Sequence, residues 1–512
     1  MNSTQSRGCC VAPACAGCPG GPLSRRRFMA GVGGGLALPV LQAAAPSQAR
    51  DPARQAPIRN VLKVQPALLY DIPKRREATS WRPWGGLQTE QDIAAEKERI
   101  GRELAQMKAT ADFPLEVGEV IPVRTADEAA AVSKGKPDVA LIYAATGGTK
   151  VLETLTPADR WNLIFVRHRS GPVYLWYETA HPRFLRKAVD EYGHPGMTVE
   201  DVVVDNHAEV LWRLRALAGL KNTLGKRIVA VGGPSGWGAG GKRAPDRARE
   251  VWKLDIQTVP YPDLGARIKR ARADSALVKR CQDAAGKYLK QKGVTIETRR
   301  EFLDNAFLLT EVFRDLLDEA RTDAITINQC MGTIMPISET TACMPLSLLN
   351  DEGYMAFCES DFVVIPSGIL LHYVSGKPVF LNDPTYPHDG VVTIAHCTAP
   401  RKMDGARYEP ARIMTHFESD YGAAPKVEMR KGQRVTNLVP DFDVRKWVGF
   451  LGEVVDNPFL AICRSQTDIA IQGDTQKLLE EMKGFHWMTC YGDYLRESAY
   501  ALKKLGVEWV KV

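Results

Sequence analysis

The chain is 512 residues long, 45% apolar and 25% charged, with a formal net charge of +7 at neutral pH. This is ordinary globular usage over more residues than one core organises, so two or three domains are expected. Arg7, Arg25, Arg26 and Arg27 fall in an N-terminal leader; without them the balance is about +3, which excludes the electrostatic footprint of a nucleic-acid-binding protein.

Ser24-Arg25-Arg26-Arg27-Phe28-Met29 has the twin-arginine form and runs into a small, apolar segment at 30–41, with Ala43-Ala44-Ala45 as an A-x-A cleavage site. Residues 1–45 therefore read as a twin-arginine signal peptide, which sends a folded protein to the periplasm or beyond. Their apolar run is short and rich in Gly, so stable membrane insertion is not expected after leader removal, an uncleaved anchor being the alternative reading. Cys9, Cys10, Cys15 and Cys18 precede the arginines, and Cys15-Ala16-Gly17-Cys18 reads as disordered leader rather than a metal pair. The seven remaining cysteines (Cys281, Cys330, Cys343, Cys358, Cys397, Cys463 and Cys490) are odd in number and lack framework spacing. That pattern suits folding in a reducing cytoplasm before export.

Residues 46–90, rich in Pro, Arg and Gln, read as an extended N-terminal arm. A helix at 91–109, strands at 139–144, 161–166 and 172–178 and a helix at 208–220 then alternate, predicting a first α/β domain over 91–222. A second, over 223–355, has a strand at 227–231, the turn Gly232-Gly233-Pro234-Ser235-Gly236, a strand at 254–259, amphipathic helices across 264–319 and a strand at 324–327. The expected class is α/β, two Rossmann-like domains with mainly parallel sheets. Glycines 232–241 invite a dinucleotide reading, but Pro234 and Trp237 interrupt the loop and no helix N-terminus follows at once, so it is rejected. The loop from Tyr143 to Thr149 closes a strand where open sheets place ligands, and reads either as part of a crevice or as a plain βα connection. Over 356–512 short strands at 391–395, 411–415 and 432–438, joined by Gly, Pro and Asp turns, predict a β-rich C-terminal domain that ends in a helix at 494–505 and a strand at 507–510.

The strand at 354–358 delivers Glu359-Ser360-Asp361, and a spacing of two in extended chain turns both carboxylates to one face. Converging acids repel unless a cation joins them; carboxylates suit Mn²⁺ or Mg²⁺, and an added imidazole favours Mn²⁺, Co²⁺ or Zn²⁺. The competing reading makes Asp361 a helix cap and Glu359 a surface acid. Five of the nine histidines follow Leu370. His396 and His416 end strands and His486 precedes the final helix, positions that serve a ligand or an ordinary hydrogen-bonded residue.

From Cys343-Met344-Pro345-Leu346-Ser347 through Phe357-Cys358-Glu359-Ser360-Asp361 to Ala395-His396-Cys397-Thr398-Ala399-Pro400-Arg401-Lys402-Met403, the chain resembles the C-terminal half of the L-fucose/L-arabinose isomerase superfamily. Thr415-His416-Phe417-Glu418-Ser419 and the stretch from His486 to Tyr494 fit in the same order, so the resemblance is specific over about 340–512 and architectural before it. It implies a ketol isomerase that interconverts aldose and ketose through an enediol, with a Mn²⁺-type ion (Co²⁺, Mg²⁺ or Zn²⁺ as alternatives) held by Glu359, Asp361 and His486. Glu359 and Asp361 would also be catalytic, with His396, His416 and Trp487 near the substrate. The family carries a further glutamate upstream; Glu339 supplies it only with a shift in register, and strict alignment places Thr341 there. The implied partners are a free sugar or sugar acid and further copies of the chain, as a trimer or hexamer. A different metal-assisted reaction on a sugar derivative, or a non-catalytic exported sugar-binding protein, are the alternatives.

Overall fold

The computed structural model describes residues 59–174 and 194–512. The expected twin-arginine leader, the start of the expected arm and residues 175–178 of an expected strand lie outside the described residues. Residues 172–174 carry no strand.

The first sheet corrects the arm. Strand β1 (Leu62–Leu69) is an interior strand of it, with Leu62, Ala67, Leu68 and Leu69 fully buried. The polar composition of 46–90 as a whole, together with Lys63 and Gln65 inside the strand, concealed these eight residues. β2 (Leu115–Val117) and β3 (Ile121–Val123) pair in succession with one edge of β1, β4 (Val139–Ala144) pairs with the other, and β5 (Trp161–Val166) and β6 (Val202–Val204) follow, all parallel. Taking β2 and β3 as one interrupted strand, this is a doubly wound order with its reversal at β1 and β4. β4 and β5 are apolar runs because helices cover both faces of a parallel sheet.

The second sheet repeats the plan. β7 (Arg227–Val231) lies between β8 (Asp255–Val259) and β10 (Ala324–Ile327), and β11 (Met355–Phe357) forms the far edge, again all parallel. The expected helical stretch resolves into helices Tyr261–Ala273, Ser275–Leu289 and Arg300–Ala320, with the short strand β9 (Val294–Ile296) between the last two.

The C-terminal region is antiparallel. β12 (Phe380–Pro384), β13 (Val391–His396), β16 (Arg434–Val439), β17 (Lys446–Asp456), β18 (Ser465–Gln472) and β19 (Trp487–Tyr491) run in the order 16-19-12-13-18-17, and β17 pairs back with β16 to close a barrel. β20 (Glu508–Lys511) joins β17 in parallel, while β14 (Ala411–His416) and β15 (Tyr421–Val427) pair with β9 in a separate three-stranded sheet. The helix Ile365–Ser375 is buried along its whole length and packs against the helix His207–Thr223 and β19. It therefore ties both α/β layers to the barrel through one continuous core. No helix among the described residues is long and apolar enough to cross a membrane.

Candidate metal centre

Three loops leave the C-terminal ends of the second sheet and line one cavity of about 340 Å³: Ser235–Gly238 after β7, Asn328–Gly332 after β10, and Glu359 with Asp361 after β11. The order 8-7-10-11 reverses between β7 and β10. Loops at such a reversal diverge to opposite faces and leave a crevice between them. The first loop is packed closely at its root: Gly232 has φ 76°, and a Cβ there would lie 2.5 Å from the Tyr261 ring. Its far side is stitched to the acid segment, since Ser235 N donates to Ser360 O (3.1 Å) and Phe362 N donates to Ser235 O (3.0 Å).

The acid segment departs from the extended form that the spacing predicted. Glu359 and Ser360 both hold left-handed backbone, φ 60° and 47°, at a cost on the order of 1–3 kcal/mol each for residues other than Gly. The turn separates the two carboxylates. Glu359 faces the cavity, whereas Asp361 is 1% exposed and already satisfied. Its Oδ1 accepts from the backbone N–H groups of Trp237 (3.1 Å) and Val363 (3.0 Å), and its Oδ2 lies 2.7 Å from Nδ1 of His486. Asp361 is thus corrected from ligand and catalytic acid to a positioning residue, which turns Nε2 of His486 toward the cavity.

The barrel supplies the other groups by register. Asn382 pairs with Trp487 and Asp383 with Ala395, so Asp383 sits beside His486 on one neighbouring strand and beside His396 on the other. Nε2 of His486 lies 3.3 Å from Oε2 of Glu359 and 3.2 Å from Oδ1 of Asp383, and Nε2 of His396 lies 3.7 Å from Oε1 of Glu359. Donor atoms about 2.0–2.2 Å from one ion stand about 3.0–3.5 Å from each other. Nε2 of His486 and Oδ1 of Asp383 are buried without a hydrogen-bond partner, the condition a shared cation relieves. Glu359, His396 and His486 bring their ligand atoms within 4.8 Å of one another, a set of one carboxylate and two imidazoles that fits Mn²⁺, Co²⁺ or Zn²⁺, and Asp383 stands beside His486.

The same proximity shifts the ionisation of these groups. Burial pushes the Glu359 carboxyl up, but the adjoining imidazoles of His396 and His486 overcome it and hold Glu359 well below the usual carboxylate range. Burial lowers both imidazoles, and their acidic neighbours more than reverse this, raising His396 to about 9 and His486 to about 10. Asp383 is raised to about 6 by burial, against the pull of both histidines.

Three other expectations are corrected. Glu339 ends the short helix Ile334–Ser338 in left-handed backbone and pairs with Arg272 in a separate pocket. Thr341 does not replace it in the centre, because it is buried with Oγ1 donating to Ala423 O (2.9 Å). His416 is buried on β14, within the separate sheet, with Nδ1 3.0 Å from Ser419 Oγ. Trp487 is fully buried and meets Phe450 edge-on in the barrel core; next to His486 on a strand, it must face the opposite way. Replacing Glu339 with Gln is accordingly expected to leave metal content unchanged and stability within about 0.5 kcal/mol, as for an exposed pair, checked by elemental analysis and chemical denaturation.

Two contributors had gone unassigned. Asp383 lies near the end of β12, beside Asn382, where an acid with no local partner is the available signal. Trp237 lies in the glycine loop set aside as unrelated to dinucleotides; it is 45% exposed, stacks on Phe485 (ring centroids 4.4 Å) and borders the cavity. The chain matches no protein-family profile and no curated protein.

Proposed function

We propose that the protein is a metal-dependent, ketol-isomerase-like enzyme acting on a free, neutral sugar. The observation that carries this reading is the convergence of the ligand atoms of Glu359, His396 and His486, two of which line an open cavity, with Asp383 beside His486 and the facing atoms of that last pair making no hydrogen bond. A divalent ion held by Glu359, His396 and His486 would polarise the carbonyl and neighbouring hydroxyl of an open-chain sugar and acidify the C–H between them.

The chain's own residues supply the rest. Asp383, beside His486 and with a side chain 24% exposed, is the carboxylate to move a proton between adjacent carbons, because Asp361 is saturated and Glu339 lies elsewhere. Trp237 offers a flat ring to the C–H face of the substrate, and Ser235, Asn328 and Gln329 offer polar groups to its hydroxyls. The described residues lining the cavity include no Lys or Arg. Phosphate and carboxylate recognition ordinarily draws on those cations, which favours a neutral polyol over a sugar phosphate or sugar acid. An unphosphorylated substrate also agrees with the exported address expected from the leader. A second reading, another metal-assisted reaction on a sugar derivative, gains support from the positions of Glu339 and Thr341, neither of which brings a further glutamate to the centre.

The test is deuterium exchange. With Mn²⁺-loaded protein in D₂O, a panel of neutral aldoses and ketoses is followed by NMR for deuterium entering at C2. Exchange that depends on the ion is expected with at least one sugar. Silence across the panel from a metal-loaded protein that still binds sugar would replace the isomerase reading with another reaction or with a binding protein.

A further inference from the structure

Cys330 and Cys358 leave the C-terminal ends of the adjacent parallel strands β10 and β11. The register pairs Thr326 with Phe357, which brings the two thiols together just beyond the sheet. Their Sγ atoms are 3.3 Å apart, well beyond the roughly 2.05 Å of a disulfide and within about 0.5 Å of the 3.8 Å expected for two sulfurs on one tetrahedral zinc. Glu359 follows Cys358 directly and holds left-handed backbone. The ligand atoms of Cys330, Cys358 and Glu359 lie within 4.8 Å of one another, as do those of Glu359, His396 and His486. One carboxylate thus belongs to two donor sets. Cys330 also lines the same cavity as Glu359, while Cys358 is buried behind it, so the site borders space that an ion and a substrate oxygen can reach.

We propose that Cys330, Cys358 and Glu359 form a second cation site, selective for a thiophilic ion such as Zn²⁺, and that Glu359 bridges it to the site made with His396 and His486. Two sulfurs and one carboxylate oxygen discriminate against Mn²⁺ and Mg²⁺, which prefer oxygen, whereas imidazole and carboxylate admit Mn²⁺. The centre would therefore be mixed, a harder ion on the barrel side and a softer one on the side of the second sheet. Three protein ligands leave the thiophilic ion an open position toward the cavity, the arrangement of catalytic rather than structural zinc. This extends the proposed metal centre but does not rest on the identity of the reaction.

The test uses the whole protein, reduced, stripped with a chelator and titrated with Co²⁺ as a spectroscopic substitute for Zn²⁺. The expected result is two ions per chain and a sulfur-to-cobalt charge-transfer band. In the Cys330→Ser/Cys358→Ser double variant the band is lost and one ion is retained. Should the double variant fail to fold, Cys330→Ala alone and the wild-type band decide the matter. A cobalt complex of the wild type without the band, a variant that keeps it, or alkylation showing a Cys330–Cys358 disulfide in the protein as isolated overturns the proposal. The deuterium assay reads a separate property, so absence of exchange with the band present would discard the isomerase reading and keep the thiolate site.

Discussion

Glu359→Gln is expected to lose metal binding by more than the roughly 10–100-fold typical of an outer-shell change, and with it all metal-dependent turnover. The substitution keeps the shape of the side chain and removes the charge shared by His396 and His486. An amide offers one neutral oxygen and turns an NH₂ group toward donors that an ion would otherwise join. At a Mn²⁺ concentration one hundred times the wild-type dissociation constant, bound ion stabilises the fold by about 2.7 kcal/mol. That increment should vanish in the variant, read as a wild-type thermal shift on adding Mn²⁺ that the variant lacks. Calorimetric titration and elemental analysis give the affinity directly, with circular dichroism as the control for folding. A variant that retains full metal stoichiometry and affinity would remove Glu359 from the centre.

The chemistry-bearing ends of elements were legible in the sequence wherever the signal was local. Strands 139–144, 161–166, 227–231 and 324–327 are apolar runs of strand length, and the structure places strands at those positions. Glu359 and His396 stand at strand ends, where open sheets and barrels present side chains to ligands, and His486 stands ahead of the final helix in a stretch that carries the family resemblance. The remaining members depend on pairing between distant segments. Asp383 reaches the centre because β12 lies between β19 and β13, a register that no local pattern encodes. Asp361 was misassigned because a spacing of two implies a shared face only in extended chain, and two consecutive left-handed residues other than Gly break that rule. Trp487 was legible in hindsight, since alternation along β19 sends it away from any pocket that His486 faces. Trp237 was obscured by the weakness of a glycine cluster as a motif: rejecting dinucleotide binding removed one ligand class and left open the loop's place at the reversal of strand order.

Asp361→Asn should weaken metal binding about 10–100-fold while the fold stays intact, and the direction follows from the hydrogen-bond inventory of one side chain. Asp361 accepts two backbone N–H groups on Oδ1 and faces Nδ1 of His486 with Oδ2. An asparagine that keeps its oxygen on the two amides must present its NH₂ group to His486. Nδ1 then becomes an acceptor, the ring proton moves to Nε2, and the lone pair aimed at the ion is lost. The opposite rotamer restores the contact to His486 but sets NH₂ against the N–H groups of Trp237 and Val363, leaving buried donors unpaired at about 1–3 kcal/mol each. Neither arrangement recovers the wild-type site. The ring-nitrogen NMR signals of His486 in the metal-free protein, read above about pH 10 where the wild-type ring becomes neutral, distinguish positioning from ligation, because the variant should show its proton on Nε2 where the wild-type ring carries it on Nδ1. Unchanged metal affinity together with an unchanged tautomer would show that Asp361 does not hold the ring.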